Sequence, residues 1–150
     1  MIFRAAGRGD VDAIVKMLAE DKLGELRENY QDPLPQSYYD AFEEIDQNPN
    51  IELTVAENES GEIVGTLQLS FIRDMTYQGG CRAFIEAVRV RQDLKGQGVG
   101  QQLFEWAIER AKEKGAHVLQ LTTDKRRPEA KRFYEKLGFK NTHEGMKYHF

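Results

Sequence analysis

Apolar residues alternate with polar ones in some stretches of the chain and recur every three to four positions in others, and these two periods divide it into strands and helices. Ile2 to Ala6 reads as a short strand. After Gly9, Asp10 is a good N-cap for a helix in which Val11, Ile14, Val15 and Leu18 share a face. Ala19 to Gln36 shows no sustained period and holds Pro33 and Pro35, so it reads as a loop. Ser37 then opens a second helix, with Asp40 as its capping-box partner and Tyr38, Phe42 and Ile45 on one side, ending near Gln47 before Pro49.

From Ile51 the period shortens to two. Ile51, Leu53 and Val55 alternate with polar residues, Glu59-Ser60-Gly61 turns the chain, and Leu67, Leu69 and Phe71 alternate within Ile63 to Ile72, which predicts an antiparallel hairpin. Gly79-Gly80 leads to a further strand, Ala83 to Arg91, where Phe84, Val88 and Val90 are read as sharing a face with one acid, Glu86. Leu103, Phe104, Ala107, Ile108 and Ala111 mark a long helix that Gly115 stops, and Val118 to Thr123 follows as a strand. A helix between two strands predicts that they run parallel. Pro128 opens a last helix with Ala130, Phe133, Tyr134 and Leu137 on one side and Gly138 behind it, and a final hairpin turns near Glu144-Gly145 with Met146, Tyr148 and Phe150 alternating.

Composition narrows the class. At 150 residues, 40% hydrophobic and 31% charged, the chain suits a single domain spanning 1–150. No apolar run approaches the roughly 18 to 20 residues of a membrane span, and the N-terminus lacks a basic start followed by an apolar stretch, so the expected location is cytoplasmic, away from membranes. Cys81 is alone and cannot form an internal disulfide, and His117, His143 and His149 are scattered, so no metal is expected. Cys81 and Trp106 are read as packing residues. The net charge of −4 argues against nucleic acid as a partner. The charge is uneven: residues 1–70 carry 5 Lys/Arg against 15 Asp/Glu, leaving 16 against 10 for the remainder. That places an anionic ligand by the C-terminal half and a cationic one by the N-terminal half, or simply describes two solvated faces.

Lys95 to Gly100, KGQGVG, lies between a strand and a helix. Glycines there let consecutive backbone N–H groups converge, and the helix start adds unpaired donors and the positive end of its dipole, a combination that suits a pyrophosphate. A P-loop would need Gly-Lys followed by Ser or Thr, which is missing. A dinucleotide fingerprint would read GxGxxG on a first strand, whereas this loop reads GxGxG late in the chain, with too little sequence after it for a Rossmann domain.

With these elements in this order the sequence resembles the GNAT superfamily of N-acetyltransferases over nearly its whole length. The resemblance is carried by IFRAAGRGDVDAIVKML, IEAVRVRQDLKGQGVGQQLFEWAIERAKEKG and EAKRFYEKLGFKNTHEGMKY. It implies an α/β (α+β) fold: a mixed, mostly antiparallel sheet of six to seven strands flanked by about four helices, with two parallel strands splayed to admit coenzyme A. It further implies that Val88, Arg89 and Val90 contact the cofactor from the strand, with the backbone of Val88 and Val90 pairing the pantetheine arm. Gly96, Gln97, Gly98, Val99, Gly100 and Gln101 would surround the pyrophosphate. Lys95 stands where the family has Gln or Arg, keeping the charge but not the planar donor fork. Arg127 stands where many relatives carry a cofactor-contacting Asn; it, Arg126 or Arg132 could meet phosphate charge, or form a solvated basic patch.

An amine acceptor must lose a proton before attacking a thioester, because its ordinary pKa is about 10.4. Glu86 is the candidate base, its alternative being an ion pair with Arg82, Arg89 or Arg91 or simple exposure. Tyr134, which matches the family tyrosine, is the candidate acid for the departing thiolate, its alternative a core aromatic. The expected activity is direct transfer from acetyl-CoA to a small-molecule or peptide amine. The rival is a non-catalytic acyl-coenzyme A sensor. A homodimer, the commonest assembly, is the default oligomer.

Overall fold

The computed structural model describes all residues, Met1–Phe150. Five strands, β1 (Ile2–Ala5), β2 (Ile51–Glu57), β3 (Ile63–Arg73), β4 (Cys81–Val90) and β5 (Val118–Gln120), form one sheet in the order β1-β2-β3-β4-β5. The first four are antiparallel, with Val55 opposite Thr66 and Leu69 opposite Ile85, and β5 runs parallel to β4. The helices are α1 (Val11–Ala19), α2 (Gln36–Gln47), the single turn α3 (Thr76–Gly79), α4 (Val99–Glu113) and α5 (Pro128–Lys136). A mixed, mostly antiparallel sheet with a long helix between its parallel strands is the predicted architecture.

The chain divides into two compact units, Met1–Gln120 and Leu121–Phe150. In the first, the alternation of β2 and β3 sorts their side chains to two faces. One face meets α4: Leu67, Leu69 and Leu103 are fully buried, and Phe3 stacks on Trp106 with ring centroids 5.5 Å apart. Gly65 allows that approach, since a Cβ there would stand 2.9 Å from Leu103 Cδ1. On the other face Val55 joins Val11, Ile14, Val15, Leu34 and Phe42 of the α1–α2 layer. Burying such side chains is worth about 1.5–3 kcal/mol each, which makes these layers the main source of stability.

Several local expectations change. Asp10 does not cap α1 from the N-cap position; its carboxylate accepts the Gly7 N–H at 2.8 Å and pairs with Arg4 at 2.7 Å, capping the preceding 3₁₀ turn instead. The Arg4 guanidinium accordingly holds the Asp10 carboxyl below its usual range. The second helix starts one residue earlier, at Gln36, whose amide donates to Asp40, so the Ser37–Asp40 capping box does not form. Strand β5 stops at Gln120 rather than Thr123.

The final hairpin is absent: residues 139–150 of the second unit form no strand, and the sheet has five strands rather than six to seven. The alternation of Met146, Tyr148 and Phe150 is real, but all three are exposed. Without a buried face or a third strand, a two-stranded ribbon has too little to hold it.

Candidate active site

The centre of the site is an irregularity in β4. Gln68 lies opposite Glu86 and Thr66 opposite Arg89, so Ala87 and Val88 together face the single residue Leu67. This is a β-bulge, and Ala87 sits in it with a left-handed φ of 51°. The extra residue reverses the alternation. Phe84, Glu86 and Arg89 lie on one face, while Val88 and Val90 fall on the face of Ala83 and Ile85. The expected apolar face of Phe84, Val88 and Val90 around Glu86 is therefore corrected: Glu86 keeps Phe84 but exchanges the valines for Arg89, and its side chain is exposed.

The bulge also coincides with the loss of a neighbour. Pairing between β4 and β5 covers Arg82, Ala83 and Phe84 only, whereas β4 runs on to Val90. Arg91 N–H donates to the Val64 carbonyl at 2.9 Å, so by antiparallel alternation Arg89 turns its backbone groups toward β3 and Val90 turns its own to the open edge. The Val88 carbonyl accepts Arg89 Nη1 at 2.7 Å. An extended ligand can add to such an edge as a further strand.

The edge leads directly into the glycine loop. Arg91 clamps Asp93 through two hydrogen bonds of 2.7 and 3.0 Å, holding that carboxyl below its ordinary range, and a 3₁₀ turn follows at Gln92–Leu94. Gly96 and Gly98 then adopt φ of 78° and 86°, a conformation that side chains resist. Neither would meet a steric obstacle as alanine, so backbone geometry is what calls for glycine. Val99, buried, anchors the start of α4. The first bond of that helix runs from Gln102 N–H to the Gly98 carbonyl at 3.2 Å, leaving the N–H groups of Val99, Gly100 and Gln101 ahead of the ladder as donors. The side chains of Lys95, Gln97 and Gln101 are exposed; Gln97 donates to the Asp93 carbonyl and Gln101 to Glu105. The bare edge and these donors together fit an elongated ligand that ends in a diphosphate.

Around Glu86 the candidate ion-pair partners are all engaged elsewhere. Arg82 pairs with Asp74 and holds that carboxyl low, Arg91 pairs with Asp93, and Arg89 lies 3.6 Å from Asp21. Glu86 makes no ion pair and stands exposed on the strand. Asp21, just past α1, and Ala87 are site residues that sequence reasoning missed. Ala87 had a readable signal, since the small or apolar set Ala83, Ile85, Val88, Val90 switches parity in mid-strand. Asp21 had none, because its partner lies far along the chain.

In the second unit, Tyr134 lies on α5, half-buried, with edge-on contacts to Phe133 and Phe139 at 5.6 and 6.3 Å between ring centroids. Arg127 is the N-cap of α5, whose carbonyl accepts Ala130 N–H at 3.2 Å. Arg126 is committed to Asp124 through its side chain and its backbone N–H, which together hold that carboxyl far below its usual range. Arg132 is exposed. Of the other residues considered, Cys81 is a buried free thiol, and His117 packs against Tyr77 with ring centroids 4.5 Å apart. No helix is long and apolar enough to cross a membrane.

Residues 16–139 match the acetyltransferase (GNAT) family. The aminoalkylphosphonate N-acetyltransferase of Salmonella typhimurium is 31% identical over 140 residues, which are 93% of this chain and 85% of that protein. Among solved structures, a Bacillus halodurans protein described as a transcriptional regulator is 57% identical with a TM-score of 0.95, the alignment covering 99% of each chain. A Clostridium acetobutylicum protein solved with acetyl-CoA shares the fold at a TM-score of 0.75 and 22% identity, over 99% of this chain and 95% of that one.

Proposed function

Since the chain belongs to the acetyltransferase (GNAT) family, we propose that it moves an acetyl group from acetyl-CoA to a primary amine by direct transfer. The observation that carries this reading is the bare, bulged edge of β4 running into the open amides of α4. Acetyl-CoA supplies an activated acetyl thioester. Val88 and Val90 hold its extended arm through the strand edge, and Gly96 to Gln101 hold its diphosphate, with the Lys95 ammonium adding charge in place of a fork of donors. Arg127 would contribute a cation where relatives have an amide.

Glu86 takes the proton from the acceptor ammonium. Its support is geometric: a carboxylate with no ion pair, exposed beside the bulge that frees the edge. One N–C bond forms as one C–S bond breaks, and Tyr134 returns a proton to the departing sulfur. The identity of the Salmonella relative makes a small aminoalkylphosphonate the first acceptor to try. Purified protein is incubated with acetyl-CoA and an aminoalkylphosphonate, a polyamine, lysine or a peptide in turn, and free thiol is measured. Thiol release that depends on one amine is the expected result.

The designation of the Bacillus halodurans protein supports a second reading, an acyl-coenzyme A sensor that binds without turnover. Thermal protection by acetyl-CoA with no thiol release from any amine would select it. Failure of acetyl-CoA to protect the fold at all would remove both readings.

A further inference from the structure

The segment between α1 and α2 is built to stay in place, and one ion pair fastens it to the strand that carries Glu86. Asp21 begins the segment. Its Oδ2 accepts the N–H groups of Leu23 at 3.2 Å and Gly24 at 3.3 Å, closing a turn on itself. Gly24 lies so close to the end of α1 that a Cβ there would come within 1.8 Å of the Leu18 carbonyl. Further along, Asn29 N–H donates to Tyr38 Oη, Tyr38 Oη donates to Glu28, and Tyr30 Oη donates to Asp12 at 3.2 Å. These hydrogen bonds hold the segment to α1 and α2, and Leu34 near its end packs in the core with Val55 of β2. The segment meets β4 through the Asp21 carboxylate against the Arg89 guanidinium, 3.6 Å apart, with side chains only 13% and 15% exposed.

Where Arg89 stands gives that link its meaning. The bulge turns Arg89 to the face of Glu86, opposite Thr66, while Glu86 is opposite Gln68, so the two are separated by about 7 Å along the strand. Arg89 Nη1 also donates to the Val88 carbonyl, on the stretch assigned to the cofactor arm. One guanidinium therefore touches the bulged strand at one end and the α1–α2 segment at the other. Nearly dry ion pairs lose more when one partner is removed than exposed pairs do.

We infer that Asp21 is a positioning residue for the amine acceptor: through Arg89 it fixes residues 20–35 against the face of β4 that carries Glu86. This inference rests on the acetyl-transfer reading. Residues 20–35 carry Glu20, Asp21, Glu25, Glu28 and Asp32 against Lys22 and Arg27, an acidic surround suited to a cationic acceptor.

Asp21→Asn tests it, because asparagine keeps an acceptor oxygen for Leu23 and Gly24 and removes only the charge. With the amine found in the thiol-release assay, Asp21→Asn is expected to raise KM for the amine about tenfold while kcat falls less than threefold and protection by acetyl-CoA is kept. Asp21→Glu should restore KM to within about threefold, and Arg89→Gln combined with Asp21→Asn should raise it no further than the larger single change. Hydrogen exchange read on Leu23 to Arg27 should quicken about tenfold in Asp21→Asn, whatever the activity. An unchanged amine KM, or unchanged exchange, in a folded Asp21→Asn protein would overturn the inference. If Asp21→Asn does not fold, Asp21→Ser decides: its hydroxyl still accepts locally but is too short and uncharged to pair with Arg89, so amine KM should rise about tenfold, and an unaltered KM overturns the role. If wild-type protein transfers to no amine, the acetyl-transfer reading falls and takes the acceptor role with it, while exchange still shows whether the tether exists.

Discussion

Glu52 and Glu86 stand on strands of one sheet and would look alike in any pattern of alternating residues, yet their surroundings separate them. Glu52, on β2, faces α4 and is held there by Arg110 at 2.7 and 2.8 Å and by Lys114 at 3.0 Å. Arg110 foremost, with Lys114 behind it, keeps the Glu52 carboxyl below its ordinary range. Glu86, on β4, faces the other way, is exposed, and has its neighbouring arginines taken by Asp74, Asp21 and Asp93. A carboxylate whose counter-ions come from the helix it faces is part of the frame. One left without them is available to a solute.

The contrast is sharpest in turnover. Glu86→Gln is expected to lower kcat by a factor of about 100 or more, with the melting temperature and acetyl-CoA protection retained; equal rates for the two proteins would end its assignment as base. Gly98→Ala tests the glycine loop rather than the base. A left-handed residue with a side chain costs about 1–2 kcal/mol, so the loop should relax and its amides turn. Acetyl-CoA affinity by calorimetry should then fall about tenfold, which corresponds to about 1.4 kcal/mol. Undiminished affinity would show that the amides do not hold the ligand.

Glu52→Gln is the smallest effect and the converse of Glu86→Gln. It should leave kcat alone and cost about 1 kcal/mol at pH 7, or about 2–4 °C in melting temperature. Because the folded carboxyl titrates below the unfolded value of about 4.3, the stabilisation is fully present above that pH. It is lost as pH falls through the folded value, so the two melting curves should converge in acid. A gap that persisted there would locate the effect in packing rather than charge.

Much of this organisation was legible because period and punctuation agree. Leu103 to Ala111 with Gly115 gave α4, and the alternation in β2 and β3 gave the hairpin and its turn. The KGQGVG loop was recognisable because its glycines do the same backbone work wherever they occur. The failures share one cause: each depended on which partner a group finds in three dimensions. Asp10 preferred Gly7 and Arg4 to its own helix, and the alternation of Met146 to Phe150 found no strand to pair with. The ion pairs that leave Glu86 unmatched depend on Asp74, Asp21 and Asp93, two of them near their arginines in sequence and one remote.

Ala87 has one more effect, on the alignment of β4 with its neighbour. Its left-handed angle is least costly for a small, unbranched residue, and the residues on either side are a glutamate and a β-branched valine. The kink thus works as an index pin, holding Gln68 against Glu86 and Thr66 against Arg89. Were the strand to slide by a single place, Ile85 would be pushed out toward water and Glu86 driven in among the leucines beneath α4.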